Sequence, residues 1–325
     1  MSEILTFPGL GLEFELRAVA FEVFGWPIHW YGIIIAMGFV LAACFGYYKA
    51  AHFGVVPDKA LDVALWTVPI AILGARAYYV IFYLDLYRSA DGSFDWRDAV
   101  AIWDGGLAIY GGIIVAVITV AICCKVYRLR FLDCADITAV GFLIGQTIGR
   151  WGNFVNIEAY GSLTQLPWRM CSKSIADDLL RKGLLESEAV YQSILDGTVG
   201  VHPTFFYESM WNLIGFVLLV LMVRKGRKFS GQVFLGYITW YGFGRGLIEG
   251  LRTDSLYFFD TGIRVSQMVG FATALIGAAL FFLFWKKAPP ATPPLSGQSA
   301  AEREAEVVEN EPYEEEVTDD GSDSN

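Results

Sequence analysis

The chain has 325 residues, 55% of them hydrophobic, and a mean hydropathy of +0.45. A soluble domain of this length needs far more polar surface, and several stretches approach the roughly 20 apolar residues that cross a bilayer, so an ordinary soluble protein is excluded. The net charge of −10 has one source: from Ala288 to Asn325 there are eleven acidic residues and one arginine, and the remainder is balanced.

In chain order, the first 25 residues contain Glu3, Glu13, Glu15 and Glu22 and lack a basic stretch followed by an apolar core, so they do not read as a cleavable signal peptide. Apolar runs then predict an all-α polytopic membrane protein with seven spans, at about 30–48, 61–84, 106–124, 133–150, 204–223, 232–250 and 265–285. Lys49 and Lys59 follow the first span, Lys125, Arg128 and Arg130 the third, Arg224, Lys225, Arg227 and Lys228 the fifth, and Lys286 and Lys287 the last. The positive-inside bias puts these connections in the cytoplasm, with the N-terminus outside and the C-terminus inside.

The other connections face outward. One, about 85–104, carries Asp85, Asp91, Asp95, Asp98 and Asp104. Another, about 152–203, is the longest loop, and its stretch "SIADDLLRKGLLESEAVYQSIL" has the apolar spacing of one or two short amphipathic helices. The chain divides into an extracytoplasmic segment 1–28, a transmembrane domain 29–287 and an acidic tail 288–325. The tail starts Pro-rich and ends in "YEEEVTDDGSDSN", a composition that predicts disorder.

Arg76, Arg150, Glu208, Arg245 and Glu249 fall inside or at the ends of predicted spans. A charge near the bilayer centre costs roughly 2.5–3.5 kcal/mol on insertion scales, which makes each a functional candidate. The plain alternative is that each snorkels to the interface or pairs structurally. In "YGFGRGLIEGLR", Tyr241, Arg245, Glu249 and Arg252 share one stripe of the sixth helix, while Gly242, Gly244, Gly246 and Gly250 permit close helix approach on other faces. Arg245 and Glu249 are expected to pair, leaving a positive stripe with Arg252. In "GRWGNFVNIEAYG", Arg150 closes the fourth helix, with Asn153, Asn156 and Glu158 as donors and acceptors just beyond. Two guanidinium forks from separate helices suit a phosphate, so the expected ligand is an anionic group at membrane depth, a phospholipid head group.

Weaker polar points lie near the same level: "HWYG" at the first helix, "WDGGLAIYGG" at the third and "HPTFFYE" at the fifth. Aromatic belts and capping prolines account for most such residues, and His202 alone reads as a hydrogen bonder at a helix cap. Cys44, Cys123, Cys124 and Cys134 lie in or beside apolar runs and Cys171 in the long loop, while His29, His52 and His202 are scattered. No metal set and no cofactor is implied.

Together these blocks resemble the bacterial prolipoprotein diacylglyceryl transferases. "GRWGNFVNIEAYG" matches every fixed position of their G-R-x-G-N-F-x-N-x-E-x-x-G signature, and "HWYG", "GAR" at 74–76, "GGLAIYGG", "HPTFFYE" and "YGFGRGLIEGLRTD" follow in order, from His29 to about Trp285. The resemblance implies a seven-helix, multi-pass enzyme of the bacterial cytoplasmic membrane. It would move the diacylglyceryl group of phosphatidylglycerol to the lipobox cysteine thiol of a preprolipoprotein signal peptide, forming a thioether and releasing glycerol phosphate. Its implied partners are that lipid and that peptide, with no nucleic acid. By position, Arg150 would bind the head group, with Asn153, Asn156 and Glu158 ordering the signature loop that ends at Gly161. Arg245 would make the second phosphate contact, supported by Glu249 and Arg252, with Tyr31 lining the pocket and His202 and Glu208 at the lipid site. Many members have His-Gly-Gly where this chain has Tyr110-Gly111-Gly112. A tyrosine of ordinary pKa near 10 is a poor base at neutral pH. Tyr110 acts as a base of lowered pKa, or the base lies elsewhere, or a lipid phosphate oxygen takes the thiol proton.

The main alternative is a secondary transporter of an anionic or phosphorylated solute, because intramembrane arginines and glycine-interrupted helices also mark transport sites. A transporter is expected to show related halves and a midplane site; here the unusual residues lie toward one face and no internal repeat is visible. An intramembrane protease needs a serine–histidine pair or two aspartates inside spans, and Asp133 and Asp136 instead lie together near a cytoplasmic helix end. A non-enzymatic lipid-binding protein would share the binding residues.

Overall fold

The computed structural model describes residues 2–88, 93–185, 187–253 and 264–295. Asp91 and the acidic run of the tail lie outside the described residues. All seven predicted spans are helices: α1 (Trp30–Lys49), α2 (Pro57–Phe82), α4 (Ile109–Val126), α5 (Phe131–Asn156), α8 (Thr204–Arg224), α9 (Gln232–Glu249) and α10 (Val265–Lys287). Six of them are long and apolar enough to cross a membrane; α9, which carries Arg245 and Glu249, is not among the six. Short helices α3 (Trp96–Val100), α6 (Lys173–Arg181) and α7 (Glu188–Leu195) lie in the connections, the last two within the stretch of amphipathic spacing.

The bundle is organised around α5. It packs on α1, α8 and α9; α10 lies against α9, and α2 and α4 pair with each other at the α1 side. Consistent with this, α5 is the most buried of the six apolar helices, whereas α1, α2 and α10 leave large side chains such as Leu41, Leu65 and Leu275 exposed. Helices apolar on every face and exposed to solvent are what hydrocarbon surroundings require. Ala139, Val140, Leu143, Leu219, Val233 and Tyr237 make a core between α5, α8 and α9.

The chain ends and connections separate into two faces. One carries the hairpins β1–β2 (Ser2–Phe7, Leu12–Arg17) and β3–β4 (Val19–Val23, Trp26–His29), together with the long 157–203 segment, where β5 (Leu163–Thr164) pairs with β6 (Gly200–Val201). This face has its own core, in which Leu5 and Phe7 of β1 meet Phe154, Ile175, Leu179, Ile194 and Phe205. The hairpins were not among the expected elements; "SEILTF-PGLG-LEFELR", with its alternation about a Pro-Gly turn, is the strand signal.

The opposite face is basic. Arg227 is buried there and donates to Asp133 at 2.9 Å, Asp136 at 2.7 Å and the carbonyl oxygens of Phe53 and Thr292. The Asp133–Asp136 pair is thus an arginine clasp and not a protease dyad. Disorder is expected from Ala288 onward, yet residues up to Leu295 are held: Ala291 donates to the Lys228 carbonyl, Leu295 to the Ala51 carbonyl, and the Thr292 hydroxyl to Asp133. Composition registers the prolines but not the acceptors that the folded helix ends present. Arg227→Ala leaves two carboxylates buried without their cation, and the expected loss is about 3–5 kcal/mol of stability, read as a lower thermal unfolding midpoint of the solubilised protein.

Candidate active site

Glu208, the fifth residue of α8, is buried and accepts from three arginines on other segments. Its Oε2 takes Arg150 Nη2 of α5 at 2.5 Å, and its Oε1 takes Arg245 Nη1 of α9 and Arg252 Nη1, each at 3.2 Å. Arg245 Nη2 also meets Glu249 Oε2 at 2.5 Å, the expected i,i+4 pair. Three guanidinium groups and two carboxylates therefore form one network. Arg150 and Arg245 keep about a fifth of their side-chain surface open, 20% and 21%, while the carboxylates keep 4% and 2%. The accessible part of the network is cationic.

Local packing fixes Glu208. The adjacent Ser209 hydroxyl donates to the Thr147 carbonyl of α5 at 2.9 Å. One turn on, Trp211 stacks on Trp240 of α9 with ring centroids 4.3 Å apart, and each indole N–H donates to the other's backbone carbonyl. Any side chain at Gly244 would run into Trp211, with its Cβ 2.1 Å from the indole nitrogen, so glycine there is what lets α8 and α9 close on each other.

The signature stretch ends α5 in a tight turn. Ile157 and Ala159 both have positive φ, 53° and 56°. For a β-branched residue this is an outlier costing on the order of 1–3 kcal/mol, and it persists only where surroundings over-determine it. Here Asn153 and Asn156 both donate to Glu158 Oε1, at 2.8 and 3.4 Å, and Arg150 Nη1 donates to Asn153 Oδ1 at 3.2 Å, tying the turn to the arginine network. Beyond it the Gly161 N–H donates to the His202 carbonyl and the Ser162 N–H to that of Leu251, which brings Arg252 alongside. A Cβ on Gly161 would lie 2.8 Å from that of His202 and 2.9 Å from the Leu251 oxygen.

The network thus joins Arg150, Asn153, Glu158, Glu208, Arg245, Glu249 and Arg252, with Asn156, Gly161 and His202 at its edge. Tyr31 lies against the Gly152 backbone, two residues along α5 from Arg150, and is 38% exposed. Tyr110 is not drawn in: it is 63% exposed at the start of α4, a helix packed mainly on α2, and makes none of the network's hydrogen bonds. Arg76 is also apart. It is buried and donates to the carbonyl oxygens of Asp98, Ala99, Gly105 and Gly106, so it organises the connection ahead of α4.

His202 Nδ1 lies 3.2 Å from the Tyr207 hydroxyl, which accepts from the Trp168 indole at 2.6 Å. Burial pushes the His202 imidazole below its ordinary pKa, favouring the neutral ring. The "HPTFFYE" block hinted at this; Trp168 carried no signal of its own. Cys171 is buried and burial pushes its thiol up to about 11, so it is no nucleophile at neutral pH. Among the described residues there is no group of three His, Cys, Asp or Glu side chains fit for a metal.

Chemically, a partly exposed cationic centre held by buried carboxylates can grip a phosphodiester and stabilise charge growing on its oxygen. The family described as prolipoprotein diacylglyceryl transferase matches residues 18–283. A protein of Finegoldia magna named phosphatidylglycerol–prolipoprotein diacylglyceryl transferase is 42% identical over 83% of this chain and 96% of its own. Proteins of the same name from Oceanobacillus iheyensis and Lysinibacillus sphaericus are 41% and 39% identical, over 83% and 86% of this chain and 88% and 96% of theirs.

Proposed function

This chain belongs to the prolipoprotein diacylglyceryl transferase family, and from that premise we propose that it transfers the diacylglyceryl group of phosphatidylglycerol to prolipoprotein at the Arg150–Glu208–Arg245 centre. The transporter alternative finds no support among these relatives. The acceptor is the lipobox cysteine thiol of an exported signal peptide, and the setting is the bacterial cytoplasmic membrane. The hairpin-bearing face is outward, as the basic clusters at the opposite face favour.

The observation that carries the reading is that guanidinium groups of α5 and α9 converge on one point, the Glu208 carboxylate. A phosphodiester entering from the lipid meets the open fifth of both arginines while Glu208 holds their far sides. The cysteine sulfur then attacks the diacylglycerol carbon bound to the phosphate oxygen: the S–C bond forms, the C–O bond breaks, and its electron pair stays on the phosphate. Arg150 and Arg245 stabilise that charge, and the thiol proton passes to a base or to the phosphate. Tyr31 flanks the lipid, and Asn153, Asn156 and Glu158 hold the turn that aims Arg150.

The test is purified protein incubated with phosphatidylglycerol and a lipobox peptide, without any vesicular gradient, followed by the peptide's mass. Addition of one diacylglyceryl group at the cysteine is expected; an unmodified thiol beside intact lipid contradicts the reading. Because Tyr110 makes none of the network's hydrogen bonds, Tyr110→Phe is expected to keep the transfer rate within about threefold. A loss of about a hundredfold or more would put that hydroxyl in the reaction.

A further inference from the structure

We propose that the cleft between the turn after α5 and helix α6 is the water-facing exit well for the leaving group, a glycerol phosphate, with Arg181 and Lys182 as its outer cations. The inference rests on the transferase reading above and extends it to the product. The cleft has a volume of about 560 Å³, and Asn153, Glu158, Asp178, Arg181, Lys182 and Arg252 are in its wall. Three of these belong to the arginine network: Asn153 accepts from Arg150 and donates to Glu158, and Arg252 donates to Glu208. The cleft therefore borders the arginine network at Asn153 and Arg252 and reaches the charged groups of α6 on the hairpin face.

A route of this kind is required by the products. After transfer the diacylglyceryl group stays in hydrocarbon with the peptide, whereas the leaving group keeps the phosphate charge and the free hydroxyls. Such an anion cannot leave through lipid, where even one charge is costly, so it must pass from the arginines into water. It also has to escape three guanidinium groups. Release from a strong site is eased by weaker sites of the same sign further out.

The α6 wall has that weaker character. Asp178 accepts from Lys182 Nζ at 2.5 Å, from Arg181 Nη2 at 3.2 Å and from the Tyr160 hydroxyl. Burial alone would raise the Asp178 pKa, but the hydrogen bonds from Lys182 and Tyr160 together with the charges of Lys182 and Arg181 hold the carboxyl below its ordinary value. Two cations thus share one ionised carboxylate, leaving a net single positive charge. Arg181 and Lys182 keep 77% and 41% of their side-chain surface exposed, against 10% for Arg252. The cations become more exposed and more screened from the centre outward, and Asn153 and Glu158 on the opposite wall offer partners for glycerol hydroxyls.

Inorganic phosphate and an uncleaved lipid head group share part of this chemistry, and three arms separate them. The full-length enzyme and its Arg181→Ala/Lys182→Ala variant are assayed with phosphatidylglycerol and a lipobox peptide while glycerol phosphate or inorganic phosphate is added. In the double variant the inhibition constant for glycerol phosphate should rise at least about fivefold, while the single-turnover rate and the KM for phosphatidylglycerol stay within about twofold of wild type. That unchanged single turnover also shows that the variant folds. An unchanged inhibition constant overturns the proposal, and so does a KM for the lipid that rises in step with it, which would make the wall a head-group site. Equal potency of inorganic phosphate, shifted by the same factor, overturns the assignment to glycerol phosphate. A wild-type enzyme that neither lipidates the peptide nor releases glycerol phosphate would instead sink the transferase reading itself.

Discussion

Arg150→Lys is expected to lower diacylglyceryl transfer by about a hundredfold or more while leaving a folded protein. In the wild type one arm of the guanidinium meets Glu208 and the other Asn153, so the fork is fixed before any lipid arrives. A lysine ammonium keeps the charge, and the side chain is partly open, so it fits. It offers one point of contact where the fork offers two, and it cannot hold Asn153 and Glu208 while also facing a phosphate. Binding of phosphatidylglycerol should weaken less than the rate falls, because the fork matters most once charge develops on the leaving oxygen. Near wild-type transfer by the lysine variant, measured by peptide mass, would remove Arg150 from the reaction and leave a lipid-binding protein as the better account.

The second large effect is expected at Glu208. Glu208→Gln preserves shape but removes the carboxylate that three arginines share. Breaking a buried charge pair from one side costs about 3–5 kcal/mol, and here the cations left behind repel one another. Transfer should fall by about a hundredfold or more, and the unfolding midpoint should fall with it. Arg150→Lys should leave that midpoint almost unmoved, so the pair of variants separates loss of chemistry from loss of scaffold. A Glu208→Gln protein with wild-type stability and transfer would mean that the arginines are held by something else.

Much of this was legible in the sequence, for reasons that differ by region. The spans could be read because hydrocarbon demands long apolar runs, and the i,i+4 spacing of Arg245 and Glu249 fixes their pairing within a single helix. The convergence of Arg150 with Arg245 was legible only as an expectation of a shared anion. That the anion in the protein is Glu208, from a third helix, is a tertiary fact that no local spacing encodes. Glu208 read as a lipid contact; buried beneath the arginines, it is their counter-charge. Tyr110 drew notice through its place in "GGLAIYGG", yet it is largely exposed and makes none of the network's hydrogen bonds. Arg76 looked like a deep charge in need of a ligand, and backbone carbonyl oxygens that composition cannot foresee satisfy it instead. The N-terminal hairpins show the limit of apolar-run reading: their alternation is short, and a rule tuned to spans passes over it.

The most direct test is where the lipid phosphate lies. An experimental structure of the protein in a lipid disc containing phosphatidylglycerol is predicted to show the phosphorus between α5 and α9, with phosphate oxygens within about 3 Å of the guanidinium nitrogens of both Arg150 and Arg245. A head group bound on the α2–α4 side, or out of reach of either arginine, would contradict the account.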